Sequence, residues 1–281
     1  MNANWIDAAR ACFTAGRPCA LVTVTAARGS TPREPGARML VTLEGIVGTI
    51  GGGQLEQNAI DLARACFAGG SGETIRRSYS LGPELGQCCG GNVELSIEPL
   101  LRAESGKLER WTAFYEAEQP VDHLYLFGAG HVGLVLAQIA AALPYRLHWI
   151  DGRREMAVKA AAVNLPIVIS VQPAREVDRA EANGFFLVMT HSHALDLEIC
   201  ARVLKRGDFA FLGLIGSATK RARFVRRLRD RGIPEVQLAR LVCPIGISGI
   251  HSKLPAAIAV AAAAQLLASS EKNAARRLNI A

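Results

Sequence analysis

The apolar run Leu124-Tyr125-Leu126-Phe127 leads into Gly128-Ala129-Gly130-His131-Val132-Gly133, a G-x-G-x-x-G turn. A helix-like segment through Leu134, Gln138 and Leu143 follows, and then a second strand-like run, Tyr145 to Ile150, that ends in Asp151. Strand, glycine turn, helix, strand and terminal acid together are the parts of a Rossmann-type βαβ unit. Gly128 permits the tight turn, Gly130 the approach of a phosphate, and Gly133 close helix–strand packing. The first helical turn offers unpaired N–H groups to an anion, so a nucleotide is one expected occupant. His131 replaces the small residue often found at its position; it either meets a phosphate or lines the mouth. The plainer alternative keeps the fold and gives the glycines a purely steric role.

Beyond this unit, Asp151 stands where a ribose-binding acid belongs, while Arg153 and Arg154 would instead favour a phosphate. Residues 165–171 and 185–190 read as further strands. The second runs into Thr190-His191-Ser192-His193-Ala194-Leu195-Asp196. His191 and His193 thus fall at a strand's carboxyl end, the edge where open α/β sheets bind ligands. A metal there lacks a clear third ligand; capping by Ser192 with one polar contact from a histidine is the modest alternative. The strand-like run 209–215 feeds Gly216, Ser217 and Lys220, where a helix start and a lysine charge suit the same anion. Most arginines of the following helix, Arg221 to Arg231, read as a solvated face. The loop from Cys243 to Pro255 forms another lip of the mouth. The Ala-rich run Leu254 to Leu267 is short for a membrane span and suits a buried or interface helix, which favours a homodimer.

The N-terminal half opens with an amphipathic helix over 5–15 and strands over 19–25 and 39–42. Between those strands, Ser30, Thr31, Arg33 and Arg38 lie in a Gly/Pro-rich loop that could cradle an oxyanion; a solvated loop with ordinary proline turns competes. Gly51-Gly52-Gly53-Gln54-Leu55-Glu56 precedes another helix and forms a second candidate anion site, although no P-loop lysine follows. Gln54 and Glu56 would cap amides or touch a polar heterocycle, and a structural glycine turn is the rival reading. Next comes Gln87-Cys88-Cys89-Gly90-Gly91-Asn92. Adjacent cysteines in a strand point to opposite faces, so one thiol enters a cleft beside Gly90 while the other packs inward. Burial of both is the conservative alternative. The polar residues 102–121 hold the linker, bounded at 111–121, and include a short element at Leu108 to Tyr115. The expected fold class is therefore α/β: an N-terminal mixed α/β domain over 1–110, followed by a Rossmann-like three-layer domain over 122–281.

A chain of 281 residues supports two such domains. Its formal charge of +7 favours anionic ligands or partners. No zinc finger, aromatic-rich basic surface or RNA-binding signature accompanies that charge, so nucleic acid is not an expected partner. Seven cysteines, an odd number without C-x-x-C, read as reduced thiols. With no signal-peptide pattern at the start and no membrane anchor, the cytoplasm is the expected compartment.

Taken in order, Gly29-Ser30-Thr31-Pro32-Arg33, Gly48-Thr49-Ile50-Gly51-Gly52-Gly53, Gln87-Cys88-Cys89-Gly90-Gly91, the G-x-G-x-x-G turn, Thr190-His191-Ser192-His193, Gly213-Leu214-Ile215-Gly216-Ser217 and Cys243-Pro244-Ile245-Gly246 resemble the XdhC/CoxI accessory proteins of molybdenum hydroxylases. The resemblance covers nearly the whole chain. It implies a non-catalytic chaperone that binds molybdenum cofactor (Mo-molybdopterin), a pterin dithiolene carrying a phosphate. Such a protein protects the cofactor while a cysteine desulfurase exchanges an oxo ligand for sulfur, then delivers it to the xanthine dehydrogenase large subunit. Glycine loops and arginines suit the phosphate, and a soft thiolate suits Mo or its sulfur ligand. Cys89, in the Cys-Gly-Gly element, is the first candidate for that contact and Cys88 the second. Gln54 departs from the pattern, since a cysteine often follows the three glycines. Two other classes remain open: an NAD(P)-dependent oxidoreductase, for which no convincing proton-transfer pair is apparent, and a nucleotide-sensing scaffold.

Overall fold

The structure is a computed structural model that describes residues 5–70, 72–82, 90–101, 104–117 and 122–278. Two compact units divide the chain, residues 1–119 and 120–281.

The first unit contains α1 (Trp5–Thr14), β1 (Cys19–Arg28), β2 (Arg38–Thr42), β3 (Ile46–Gly48), α2 (Gly53–Gly69), β4 (Ile75–Ser80), β5 (Asn92–Leu100) and α3 (Ser105–Ala117). Its sheet is antiparallel, in the order β3-β2-β1-β5-β4. Alternation along β1 decides the layering. Ala20, Val22 and Val24 face Leu55, Ala59 and Ala63 of α2, while Cys19 and Leu21 face Ile6 and Ala9 of α1 and Trp111 of α3. Covering an apolar side chain the size of Leu21 stabilises by about 1.5–3 kcal/mol, so a charge there would open one whole layer.

The short element expected at Leu108 to Tyr115 is present and longer, since α3 runs from Ser105 to Ala117 into residues that read as linker. Trp111 is fully buried, and its indole N–H donates to Glu98 Oε2 at 3.3 Å. Glu109, Arg110 and Glu116 occupy the exposed side of that helix, so its polar composition belongs to one face only.

The second unit contains β6 (Asp122–Phe127), α4 (His131–Ala140), β7 (Tyr145–Asp151), α5 (Met156–Ala162), β8 (Val168–Ile169), a 3-10 turn (Pro173–Arg179) and β9 (Phe185–Val188). It continues with α6 (His193–Arg206), β10 (Phe211–Leu214), α7 (Ala218–Asp230), α8 (Glu235–Leu238), β11 (Leu241–Val242) and α9 (Pro255–Leu278). The strands are parallel, in the order β11-β10-β9-β6-β7-β8. The chain builds outward from β6 through β7 and β8, then restarts on the other side of β6 with β9. That reversal is a topological switch point, and the order is that of a Rossmann-like domain. Leu124, Leu126, Trp149 and Phe185 pack under α4 and α9, whereas Phe127, Ile150, Val188 and Leu212 pack under α6 and α7. Both faces are covered, which explains why β6 and β9 are nearly continuous apolar runs. Strand β8 is shorter than the run 165–171 suggested. Among the described residues, no helix is long and apolar enough to cross a membrane.

Candidate functional site

At the switch point, the glycine turn crosses from the end of β6 to the start of α4. Gly128 has φ +114°, and a Cβ there would lie 2.3 Å from the Met189 carbonyl oxygen. At Gly133 a Cβ would lie 2.1 Å from the Gly128 carbonyl oxygen. These two glycines are steric necessities of the turn. Gly130 differs: among the described residues nothing lies within 4 Å of where a Cβ would be, so its side is open to them. His131, the first residue of α4, is exposed beside it.

Asp151, at the end of β7, is only 3% exposed. Its Oδ2 accepts from the Ala129 amide at 2.7 Å and from Arg153 Nη2 at 2.9 Å. Its Oδ1 accepts from the Arg153 amide at 2.9 Å and from Arg153 Nε at 3.0 Å. Burial pushes this carboxyl's pKa up, but the bonds from Arg153 and from the Ala129 amide together hold it below its usual range. The acid expected to meet a ribose thus ties the glycine turn to β7, and the Arg153 fork fills its remaining acceptor sites.

Across the switch point, the ends of β9 and β10 and the starts of α6 and α7 border a cleft of about 780 Å³. It brings together Thr190, His191, His193, Gly216, Ser217 and Lys220 from the sequence motifs. Two serines start the helices. Ser192 Oγ accepts from the Leu195 amide at 3.3 Å, and Ser217 Oγ accepts from the Lys220 amide at 3.2 Å. Beneath them, Asp196 is fully buried. Its Oδ1 accepts from the Thr190 amide at 3.0 Å and from the Thr190 hydroxyl at 2.7 Å. Its Oδ2 accepts from Lys220 Nζ at 2.7 Å, and Lys220 also donates to the Ile215 carbonyl at 2.9 Å. The lysine charge expected to meet an anion is therefore matched by an internal acid. His191 and His193 are exposed at the rim, and the described residues hold no group of three or more His, Cys, Asp or Glu suited to a metal.

The cleft also takes in Arg223, Arg226 and Arg227, with Phe224 and Ile215 as apolar lining. The sequence places these arginines on a solvated face, and all three are exposed where they border the cleft. Several other arginines of the unit are paired: Arg229 with Glu235, Arg231 with Glu198, and Arg202 with Asp178 and Glu198. Among the described residues no carboxylate pairs with Arg223, Arg226 or Arg227. Their i, i+3 and i+4 spacing makes them like-charged neighbours, each such pair costing a helix about 0.2–0.5 kcal/mol. That spacing, counted on from Lys220 with no acid between, is the signal that could have found them.

In the first unit, the glycine and arginine motifs meet at one end of the sheet. A Cβ on Gly91 would lie 2.4 Å from the Ser30 carbonyl oxygen, and one on Gly51 would lie 2.5 Å from Pro32 Cβ. Arg33 packs there, donating to the Thr49 carbonyl at 3.4 Å and to Glu34 at 3.1 Å, while the Thr31 hydroxyl donates to the Arg33 carbonyl at 3.2 Å. Glu56 Oε2 accepts from the Ile50 amide at 3.0 Å, the Gly52 amide at 3.2 Å and the Thr49 hydroxyl at 2.5 Å. A carboxylate of the chain thus sits on amides that Gly51, Gly52 and Gly53 seemed to hold open for an anion. Gln54 donates along the helix to Asn58 at 2.8 Å. Arg38 is not with this group, as its guanidinium lies 6.0 Å from the ring centroids of Trp5 and of Phe114. Gly90 is exposed, and among the described residues nothing lies within 4 Å of where a Cβ would be. Cys88 and Cys89 lie outside the described residues. The described cysteines, Cys12, Cys19, Cys66, Cys200 and Cys243, are free and buried. Burial raises the thiol pKa of Cys19 to about 12 and raises those of Cys200 and Cys243 as well, so these three are held as thiols.

Comparison with known proteins places these units. Residues 124–266 match the XdhC Rossmann domain, and residues 12–80 match the XdhC and CoxI family. The chain belongs to the XdhC and CoxI family. It is also 30% identical over 256 residues to the uncharacterized protein YqeB of Escherichia coli (strain K12), covering 89% of this chain but 43% of YqeB. This XdhC/CoxI chain therefore spans less than half the length of that relative. A crystal structure described as a xanthine dehydrogenase from Bacillus halodurans shares the fold, with a TM-score of 0.77, 20% identity and 96% of each chain covered.

Proposed function

We propose that this chain serves the maturation of xanthine dehydrogenase by binding molybdenum cofactor, shielding it during sulfuration by a cysteine desulfurase, and delivering it to the large subunit. The carrying observation is the family match on both units, residues 12–80 and 124–266. The switch-point edge supports it: Gly130 leaves an open side, and the cleft arginines supply positive charge that a phosphate-bearing pterin would neutralise. When bound, the cofactor supplies the oxo-to-sulfur chemistry at Mo; the chain's part is to hold its phosphate and keep the Mo end reachable. Cys89, with Cys88 second, is proposed for that end because it stands in the Cys-Gly-Gly element, whereas the five described cysteines are all buried. A homodimer through α9, acting in the cytoplasm, completes the proposal. An NAD(P)-dependent reading is less well supported, since a ribose would first have to displace the donors already on Asp151.

The test is Mo and released pterin in the full chain purified from molybdate-fed cells, followed by mixing with Mo-free xanthine dehydrogenase. Co-purified Mo and pterin together with a gain of dehydrogenase activity is expected. A chain free of both, or loaded and unable to activate the acceptor, would overturn the delivery role. Comparing Cys88→Ala with Cys89→Ala for Mo content and melting temperature separates a ligand from a packing cysteine.

A further inference from the structure

The cleft at the ends of β9 and β10 combines two kinds of surface that its ligand must match. One side is lined by the exposed Arg223, Arg226 and Arg227, which no described carboxylate neutralises, while Ile215 and the largely buried Phe224, with Lys220 Nζ 5.2 Å from its ring centroid, give it an apolar lining. The buried charges beside it, Lys220 and Asp196, already satisfy each other at 2.7 Å and add no net charge. The uncompensated positive charge thus belongs to the three arginines. Its volume of about 780 Å³ fits a small molecule, within the roughly 300–1,000 Å³ typical of ligand pockets.

The geometry points to an organic phosphate on a planar heterocycle as the ligand of this cleft, its phosphate held by Arg223, Arg226 and Arg227 and its ring against Ile215 and Phe224. Guanidinium groups form bidentate, charge-assisted bonds with phosphate oxygens, and an apolar wall favours a flat ring over a sugar alone. The assignment deepens the cofactor-handling reading and rests on it only for the pterin. A pterin phosphate and a nucleotide share this chemistry, and the arms of the test tell them apart.

Calorimetric titration of the full chain would use 5′-GMP and guanosine, the same ring with and without phosphate. The proteins are the unchanged chain, the Arg223→Gln/Arg226→Gln/Arg227→Gln variant, and a charge-matched control, Arg202→Gln/Arg229→Gln/Arg231→Gln. Released pterin is measured on all three after growth with molybdate. GMP should bind at least about tenfold more tightly than guanosine, the cleft variant should lose at least about tenfold in GMP affinity, and the control should keep it. Loss of pterin together with GMP binding, or loss of pterin where GMP never bound, supports a pterin phosphate. Loss of GMP binding with pterin retained supports a nucleotide phosphate. Equal GMP affinity and pterin content in the cleft variant and the unchanged chain would overturn the site. So would guanosine binding as tightly as GMP, or equal losses in the control. An unchanged chain that binds GMP through the cleft but never carries Mo or pterin defeats the cofactor reading alone; one that binds neither GMP nor pterin defeats both.

Discussion

Lys220 Nζ lies 2.7 Å from Asp196 Oδ2, with the acid's side chain fully buried and the lysine's 13% exposed. The same carboxylate holds Thr190 by both its amide and its hydroxyl, so one acid joins the end of β9 to the starts of α6 and α7. Removing the lysine leaves a buried charge without its counter-ion. Lys220→Met should destabilise the chain by about 3–5 kcal/mol in urea unfolding, and adding Asp196→Asn should recover part of that loss. Strictly additive costs in the double variant would show that the two side chains do not act as a pair.

Asp151 makes a pH-dependent prediction. Its pKa is depressed in the folded state, so its contribution is complete above the unfolded value near about 4 and disappears as pH falls through the folded value. At neutral pH, Asp151→Asn should be less stable than the unchanged chain by about 1–3 kcal/mol. That gap should close in denaturant titrations carried progressively below about pH 4. A gap that stays constant down to strongly acid pH would assign the effect to shape rather than charge.

The glycines of the switch-point turn should separate by stability. Gly133→Ala drives a methyl group into the Gly128 carbonyl and should cost at least about 1–3 kcal/mol. Gly130→Ala meets open space and should cost less than about 0.5 kcal/mol. Its effect should appear instead in pterin retention, if a phosphate approaches that backbone. Equal melting temperatures for the two variants would contradict the packing described.

Glu56 caps the loop before α2 from within. Glu56→Ala strips the Ile50 and Gly52 amides of their acceptor and should cost about 0.5–2 kcal/mol, read by thermal unfolding. Faster hydrogen exchange at those two amides would locate the loss. Unchanged exchange there would mean that water replaces the carboxylate without penalty.

The β6–α4–β7 unit was legible because apolar runs and glycines follow strict local rules of reach and sterics. Asp151 was legible as a strand-end acid, but its role was not, since Arg153 folds back onto it from two residues away. The arginines of α7 and its C-cap show a harder limit. Arg226 and Arg231 look alike in sequence, yet Arg231 is neutralised by Glu198, 33 residues distant, and Arg226 is not. Such pairing depends on how β9, α6 and α7 stack, which no local pattern states. Strand β11 escaped notice because two residues carry no periodicity. The element around Trp111 was legible but its full length was not, because the polar residues on the exposed face of α3 read as linker.

The central place of β1 in the first sheet has a consequence for how the chain is made. Its partner β5 pairs from Arg28↔Asn92 to Cys19↔Leu100, whereas β6 meets β7 from Asp122↔Tyr145 onward. At about 5–20 residues per second, a ribosome exposes β1 for several seconds before β5 emerges. During that interval a strand that is apolar on both faces has one side of its backbone unpaired, open to other nascent chains. The second unit leaves β6 open in the same way, since β7 covers one edge early but β9 pairs with the other only from Leu124↔Phe185. Slowing translation between β1 and β5, or between β7 and β9, is therefore expected to lower the yield in the cell, while the same delay within α9, after the described strands have emerged, should not.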